Sequence, residues 1–172
     1  METLRQIFHH LVSRTQLRFV RYLYSQINWN NRLIGIVGSR GVGKTTMLLQ
    51  HIRQNYDIAT GEVLYASLDN LWFSTHTLVD LADEFYKSGG KVLFLDEVQK
   101  ITDWQNAVNS FRVDLDCDIY VTGSNAYLLS SELSTYLSGR YVEIKMLPLS
   151  FREFLDFHGY SLEAYKAPNG TV

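Results

Sequence analysis

Residues 33–46, LIGIVGSRGVGKTT, carry an apolar run into Gly38-Ser39-Arg40-Gly41-Val42-Gly43-Lys44-Thr45, then Thr46 and a helical pattern. The spacing fits G-x-x-x-x-G-K-[ST], with the strand before and the helix after that this motif requires. Glycines let successive backbone N–H groups converge on an anion at a helix N-terminus, where the helix dipole also favours negative charge. The chemistry expected is the binding of a nucleoside triphosphate, with the loop through Thr46 around the phosphates. Lys44 would reach the β- and γ-phosphates, and Thr45 would offer its hydroxyl to Mg²⁺. Arg40 is not demanded by the motif. It is expected on phosphate or in solvent, with no catalytic role.

A second stretch, Lys91-Val92-Leu93-Phe94-Leu95-Asp96-Glu97, is an apolar strand ending in two acids about fifty residues downstream of the glycine-rich loop. In a parallel sheet, such a strand can present Asp96 to the Mg²⁺ shell beside the loop, with Glu97 near the γ-phosphate. A carboxylate at that place can orient and deprotonate an attacking water, which distinguishes hydrolysis from transfer to an acceptor hydroxyl. The ordinary alternative is a pair of acids closing a strand at solvent.

These residues need a scaffold, and the chain has the means to build one. It has 172 residues, 46% of them hydrophobic and 13% aromatic, enough for one globular domain with a sizeable core. Short apolar runs at 33–37, 63–66, 92–95, 119–122 and 141–146 alternate with helical patterns at 44–55, 77–87 and 103–115. That alternation predicts an α/β fold of crossover helices on a mostly parallel sheet. After Pro148, Ser150-x-x-Glu153 has capping-box spacing ahead of Phe151, Phe154, Leu155 and Phe157, which predicts a short helix at 150–158.

Charge is uneven along the chain. Residues 1–32 hold five arginines against Glu2 alone, while the whole chain has 16 Lys+Arg against 18 Asp+Glu and a net charge of −2. The opening segment reads as two amphipathic helices. Leu17, Val20, Tyr24 and Ile27 make the apolar face of the second, and Arg14, Arg18 and Arg21 form a stripe at i, i+4 and i+7. A solvated arginine face is the preferred reading of the stripe over a binding face, since net charge gives no support for nucleic acid. One cysteine, Cys117, excludes an internal disulfide and suits a reducing compartment, so the expected location is cytoplasmic. No apolar run approaches the roughly 18 residues of a membrane span, and the five histidines show no metal-ligand spacing.

Taken in order, GSRGVGKTT, LFLDEVQK, Trp104 and YVTGSNAYLLSSELSTYLSGRYVEIKMLPLSFREF resemble the AAA-family ATPases of bacteria and archaea that pair an AAA-type core with a C-terminal domain. The likeness covers residues 18–158. It implies a P-loop core of the additional-strand type, three-layered, with strand order 5-1-4-3-2, and ATP as the nucleotide. It further implies that Ser124 or Asn125 is the polar sensor of the γ-phosphate, and that Arg140 stands where an arginine finger acts, in its own subunit or a neighbour's. For each of these three, a cap, a turn or a surface ion pair is the plain alternative. The organisation implied is an N-terminal helical segment at 1–30, an ATPase core at 31–160 and a tail at 161–172 leading toward a C-terminal domain.

The resulting expectation is Mg²⁺-dependent hydrolysis of ATP coupled to a C-terminal domain or a partner protein, with oligomeric state open. Two rivals stand beside it. One is a nucleotide-gated switch that binds ATP with negligible turnover, and the other is a small-molecule P-loop kinase. Asp69 and Gln99 lie near the expected site edge and read as solvated loop residues.

Overall fold

The computed structural model describes residues 1–124 and 141–160. Five parallel strands form its sheet: β1 (Leu33–Val37), β2 (Val63–Ser67), β3 (Val92–Asp96), β4 (Asp118–Gly123) and β5 (Val142–Lys145). Their spatial order is β2-β3-β4-β1-β5, so β4 lies between the glycine-rich strand and the strand that ends in acids. This is the expected 5-1-4-3-2 order read from the other edge. Register sets Val37 beside Gly123 and Lys145, Leu95 beside Val121, and Asp96 beside Ser67. The C-terminal ends of these strands therefore share one edge.

All five residues of β1 are buried, which requires cover on both faces of the sheet and explains why its sequence is continuously apolar instead of alternating. Helix α1 (Glu2–Arg14) and α2 (Lys44–Asn55) pack on each other, with α1 also lying over β2. Leu4, Phe8 and Val12 form the buried stripe of α1 at i, i+4 and i+8, and each contributes about 1.5–3 kcal/mol by its burial. Helix α3 (Leu78–Lys87) opens on a Thr77–Asp80 capping box and packs against α4 (Trp104–Asp114), which buries Trp104, Val108 and Phe111. The last helix among the described residues, α5 (Phe151–Phe157), begins with the Ser150–Glu153 capping box that its sequence predicts.

The second N-terminal helix expected from the sequence is absent. After α1 the chain extends at Thr15 and makes only a 3₁₀ turn at Tyr22–Gln26. Side chains of α2 take up the carbonyls that a helix would have used. Gln50 Nε2 donates to the carbonyls of Gln16 and Phe19, both at 2.8 Å, and Arg53 donates to that of Thr15. These tertiary bonds outweigh the local periodicity, because a backbone carbonyl bonded from another element has no need of an i+4 amide. The arginine stripe dissolves with the helix. Arg14 sits beside His10, Arg18 lies over the Phe157 ring at 5.9 Å, and Arg21 is turned inward.

Candidate nucleotide site

The glycine-rich loop leaves β1 at Gly38, whose N–H donates to the Gly123 carbonyl at 3.4 Å. A Cβ at this position would collide with the Met146 carbonyl, so the close approach of the β5 exit demands glycine. Gly43 has φ of 99°, a left-handed conformation that turns the chain directly into α2 at Lys44. The loop thereby opens the first amides of a twelve-residue helix to the site. Lys44 is only 4% exposed, and its Nζ donates to the carbonyls of Gly38 at 2.9 Å and Ser39 at 3.0 Å. Burial pulls its pKa down, while Glu97 and Asp96 act in the opposite direction.

Asp96 is 2% exposed and accepts three hydroxyl hydrogen bonds from three elements. Thr45 Oγ1 at the start of α2 donates to Oδ2 at 2.6 Å, Tyr65 on β2 donates to the same oxygen at 2.7 Å, and Thr122 on β4 donates to Oδ1. Burial, followed by the charge of Asp96 and the bond to it, drives the Tyr65 pKa strongly upward, so the phenol keeps its proton.

Glu97 leaves the strand in a left-handed conformation, φ 57° and ψ 45°, which few non-glycine residues adopt. That turn sends its carboxylate away from Asp96 to Ser124, whose Oγ lies 2.9 and 2.8 Å from its two oxygens. The Glu97 N–H is held by Thr122 Oγ1 at 3.2 Å. Gln99 Nε2 donates to Glu97 Oε2. Gln99 is therefore not the solvated loop residue its position suggests, whereas Asp69 bonds Ser67 at 2.6 Å on the exposed side.

Beside the loop lies a cavity of about 620 Å³ whose walls are mostly apolar. Phe19, Pro148, Leu149 and Phe157 line it together with Thr46 and the loop from Ser39 to Gly43. Arg40 is exposed at its rim. One cluster ties these walls together. Arg21 Nε donates to Glu153 Oε1 at 2.8 Å, Nη1 to the Val42 carbonyl at 2.8 Å, and Nη2 to the Leu147 carbonyl at 2.8 Å. Glu153 also accepts from the N–H groups of Tyr22 and Ser150, both at 3.0 Å. Against the upward pull of burial, these bonds bring its pKa down to about 2, the Arg21 bond foremost among them.

A family model described as an AAA domain matches residues 30–155. The chain belongs to the AAA family. An uncharacterized protein of Haemophilus influenzae is 44% identical to this AAA chain over 130 residues, 70% of this chain and 32% of that one. Two uncharacterized proteins of Methanocaldococcus jannaschii are 32% and 31% identical, over 77% and 74% of this chain and 30% and 28% of their own lengths. The AAA chain thus spans about a third of the curated relatives that it matches. Among solved structures, C. elegans PCH-2 shares the fold, with a TM-score of 0.51 and 17% identity over 84% of this chain and 43% of that one. The family is one of nucleotide-binding P-loop ATPases, and the five-stranded order of the sheet agrees with it.

Within this AAA core, every residue of the glycine-rich loop together with Lys44, Thr45, Asp96, Glu97 and Ser124 comes to one sheet edge. Asn125 and Arg140 lie outside the described residues, as does the tail at 161–172. The donor set suits Mg²⁺: a hydroxyl and a carboxylate oxygen 2.6 Å apart are both hard ligands. Sequence reasoning passed over Tyr65, Thr122 and the cavity, and it read Arg21 as part of a solvated stripe. Tyr65 and Thr122 stand inside strands that read as plain core, and Arg21 reaches Glu153 across 132 positions. No local pattern carries such a pairing. Among the described residues, no helix is long and apolar enough to cross a membrane.

Proposed function

We propose that the chain binds ATP with Mg²⁺ and hydrolyses its β–γ phosphoanhydride by in-line attack of water. The observation that carries this reading is the pairing of Thr45 with Asp96 at 2.6 Å beside a Glu97 carboxylate aimed at a different partner, Ser124. Two adjacent acids are thus assigned separate tasks. The amides of residues 38–46 receive phosphate oxygens, and Lys44 gives up its bonds to the Gly38 and Ser39 carbonyls to meet the β- and γ-phosphates. Thr45 and Asp96 would hold Mg²⁺, which would supply charge neutralisation for the phosphates as negative charge develops. Glu97 takes a proton from water as the new oxygen–phosphorus bond forms and the bridging bond breaks toward ADP. Ser124 orients Glu97 and meets the γ-phosphate side of the site. Arg140 is assigned to the late negative charge, and Asn125 shares the sensing role with Ser124.

The apolar cavity lined by Phe19, Phe157 and the loop is the place for the base and ribose. The choice of ATP over GTP rests on family membership. The work coupled to hydrolysis is assigned to a further domain or a partner protein, within a cytoplasmic setting. A second reading, an ATP-gated switch with little turnover, draws on the same geometry. Glu97 is already engaged by Ser124 and Gln99, and Lys44 is folded onto its own loop.

The test is calorimetric binding of ATP with and without Mg²⁺ to wild type and Lys44→Ala. Wild type should bind with an affinity that Mg²⁺ strengthens, and Lys44→Ala should lose at least about 2 kcal/mol, roughly thirtyfold, by losing a charge-assisted bond. Equal binding by the two proteins would remove the nucleotide from this loop.

A further inference from the structure

A phenol in a closely packed core requires an explanation that a phenyl ring does not. Tyr65 is 4% exposed and pairs in register with Phe94, whose bare ring fills the neighbouring position on β3. A buried hydroxyl left unpaired is costly, so its partner identifies its use. That partner is Asp96 Oδ2 at 2.7 Å, two register positions farther along the strand pair. The ring therefore runs along the strand toward the site edge.

The three donors on Asp96 differ in what else they do. Thr45 belongs to the loop that receives phosphate, and under the reading above its oxygen also faces Mg²⁺. Tyr65 and Thr122 belong to β2 and β4, strands on either side of β3, and neither is part of the nucleotide loop. Bonds from both flanking strands fix the rotation of the carboxylate about its own side chain. A carboxylate that reorients freely must be ordered when the cation arrives, whereas one held beforehand has met that entropic cost in folding.

We propose that Tyr65 is a positioning residue for Asp96, holding its carboxylate toward Thr45 and thereby setting the Mg²⁺ requirement of nucleotide binding. This rests on the reading of Asp96 as the Mg²⁺-facing acid. The action assigned to Tyr65 passes through its hydrogen bond to Asp96 Oδ2.

The experiment compares wild type, Tyr65→Phe and Thr122→Val. Phenylalanine keeps the ring volume and removes a single oxygen, and valine removes the donor on Oδ1 together with the acceptor of the Glu97 N–H. A fluorescent N-methylanthraniloyl ADP is titrated into each protein in EDTA and at stepped MgCl₂ concentrations. In EDTA, all three should bind within about twofold of one another. The half-saturating Mg²⁺ concentration should rise about tenfold in Tyr65→Phe, the scale of one lost bond to a charged group, and in the same direction in Thr122→Val. An unchanged Mg²⁺ requirement in Tyr65→Phe, with wild type clearly Mg²⁺-dependent, would overturn the role of Tyr65 and leave the nucleotide site standing. Equal weakening with and without Mg²⁺ would also overturn it, since that is the mark of a purely structural tyrosine. Wild-type binding indifferent to Mg²⁺ would overturn the assignment of Asp96 and that of Tyr65 with it.

Discussion

Asp96 and Glu97 are neighbours with opposed surroundings, and the difference arises from one backbone angle. Asp96 ends β3 in extended conformation and is enclosed by hydroxyls, whereas Glu97, at φ 57°, turns out to Ser124 and Gln99. A non-glycine residue in that region is strained, and here that conformation turns Glu97 toward Ser124 instead of continuing the strand's alternation to the opposite face of the sheet. Gln99 holds the second acid in a particular way. Its Nε2 meets Glu97 while its Oε1 is buried without a partner among the described residues. Reversing the amide would set two acceptors against each other, so Glu97 fixes its orientation. Gln99→Ala should lower kcat for phosphate release about tenfold, one charge-assisted bond in magnitude, with KM moved less than about threefold. A change confined to KM would assign Gln99 to nucleotide binding instead. At this scale, legibility follows sequence distance. The loop residues and the acid pair are contiguous and stand out in the chain, while Tyr65 and Thr122 acquire meaning only from partners on other elements.

The elements themselves were mostly legible. Four runs became strands that are continuously apolar or nearly so because both faces are covered, β5 followed as a half-exposed strand at the sheet edge, and the capping box at Ser150 began the helix it predicts. The exception is residues 15–27. Their spacing is helical, yet Gln50 and Arg53 capture the backbone and Arg21 is drawn into an ion pair with side chains 10% and 6% exposed. That ion pair joins three elements at one point: the segment after α1, the nucleotide loop through the Val42 carbonyl, and α5 through Glu153. Removing one member of a buried pair leaves the other uncompensated, a loss of about 3–5 kcal/mol. Arg21→Ala should therefore lower unfolding free energy by about that amount in urea denaturation. It should also weaken ADP binding more than Glu153→Gln does, because only Arg21 contacts the loop. Equal ADP affinity in Arg21→Ala and wild type would show that the loop keeps its shape unaided.

Across the whole molecule, stability depends on a buried histidine remote from the nucleotide. His51 is 4% exposed, stacked on Trp29 at 3.8 Å between centroids and bonded to the Tyr24 hydroxyl at 2.9 Å. Burial lowers its pKa from 6.5 to about 4. The unfolded chain therefore binds a proton that the folded chain refuses, and stability falls as pH drops from about 6.5 toward 4, by up to about 3 kcal/mol. Glu153 acts lower down: its contribution is full above 4.5 and is lost as pH falls toward 2. Urea denaturation at stepped pH should show the upper decline in wild type and a flatter curve between pH 6.5 and 4 in His51→Gln, and parallel curves would contradict it. The AAA core is thus built to position one site, and its relatives extend well beyond the length matched here. The most direct test of that site is phosphate release from Mg²⁺·ATP by wild type and Glu97→Gln, with ATP binding measured on the same samples. Wild type should turn over, and Glu97→Gln should bind ATP within a few-fold of wild type while releasing phosphate at least about a hundredfold more slowly, the range for a general base. Turnover by Glu97→Gln at the wild-type rate would contradict the role of Glu97, and the absence of turnover in a wild type that binds ATP would contradict hydrolysis by this core.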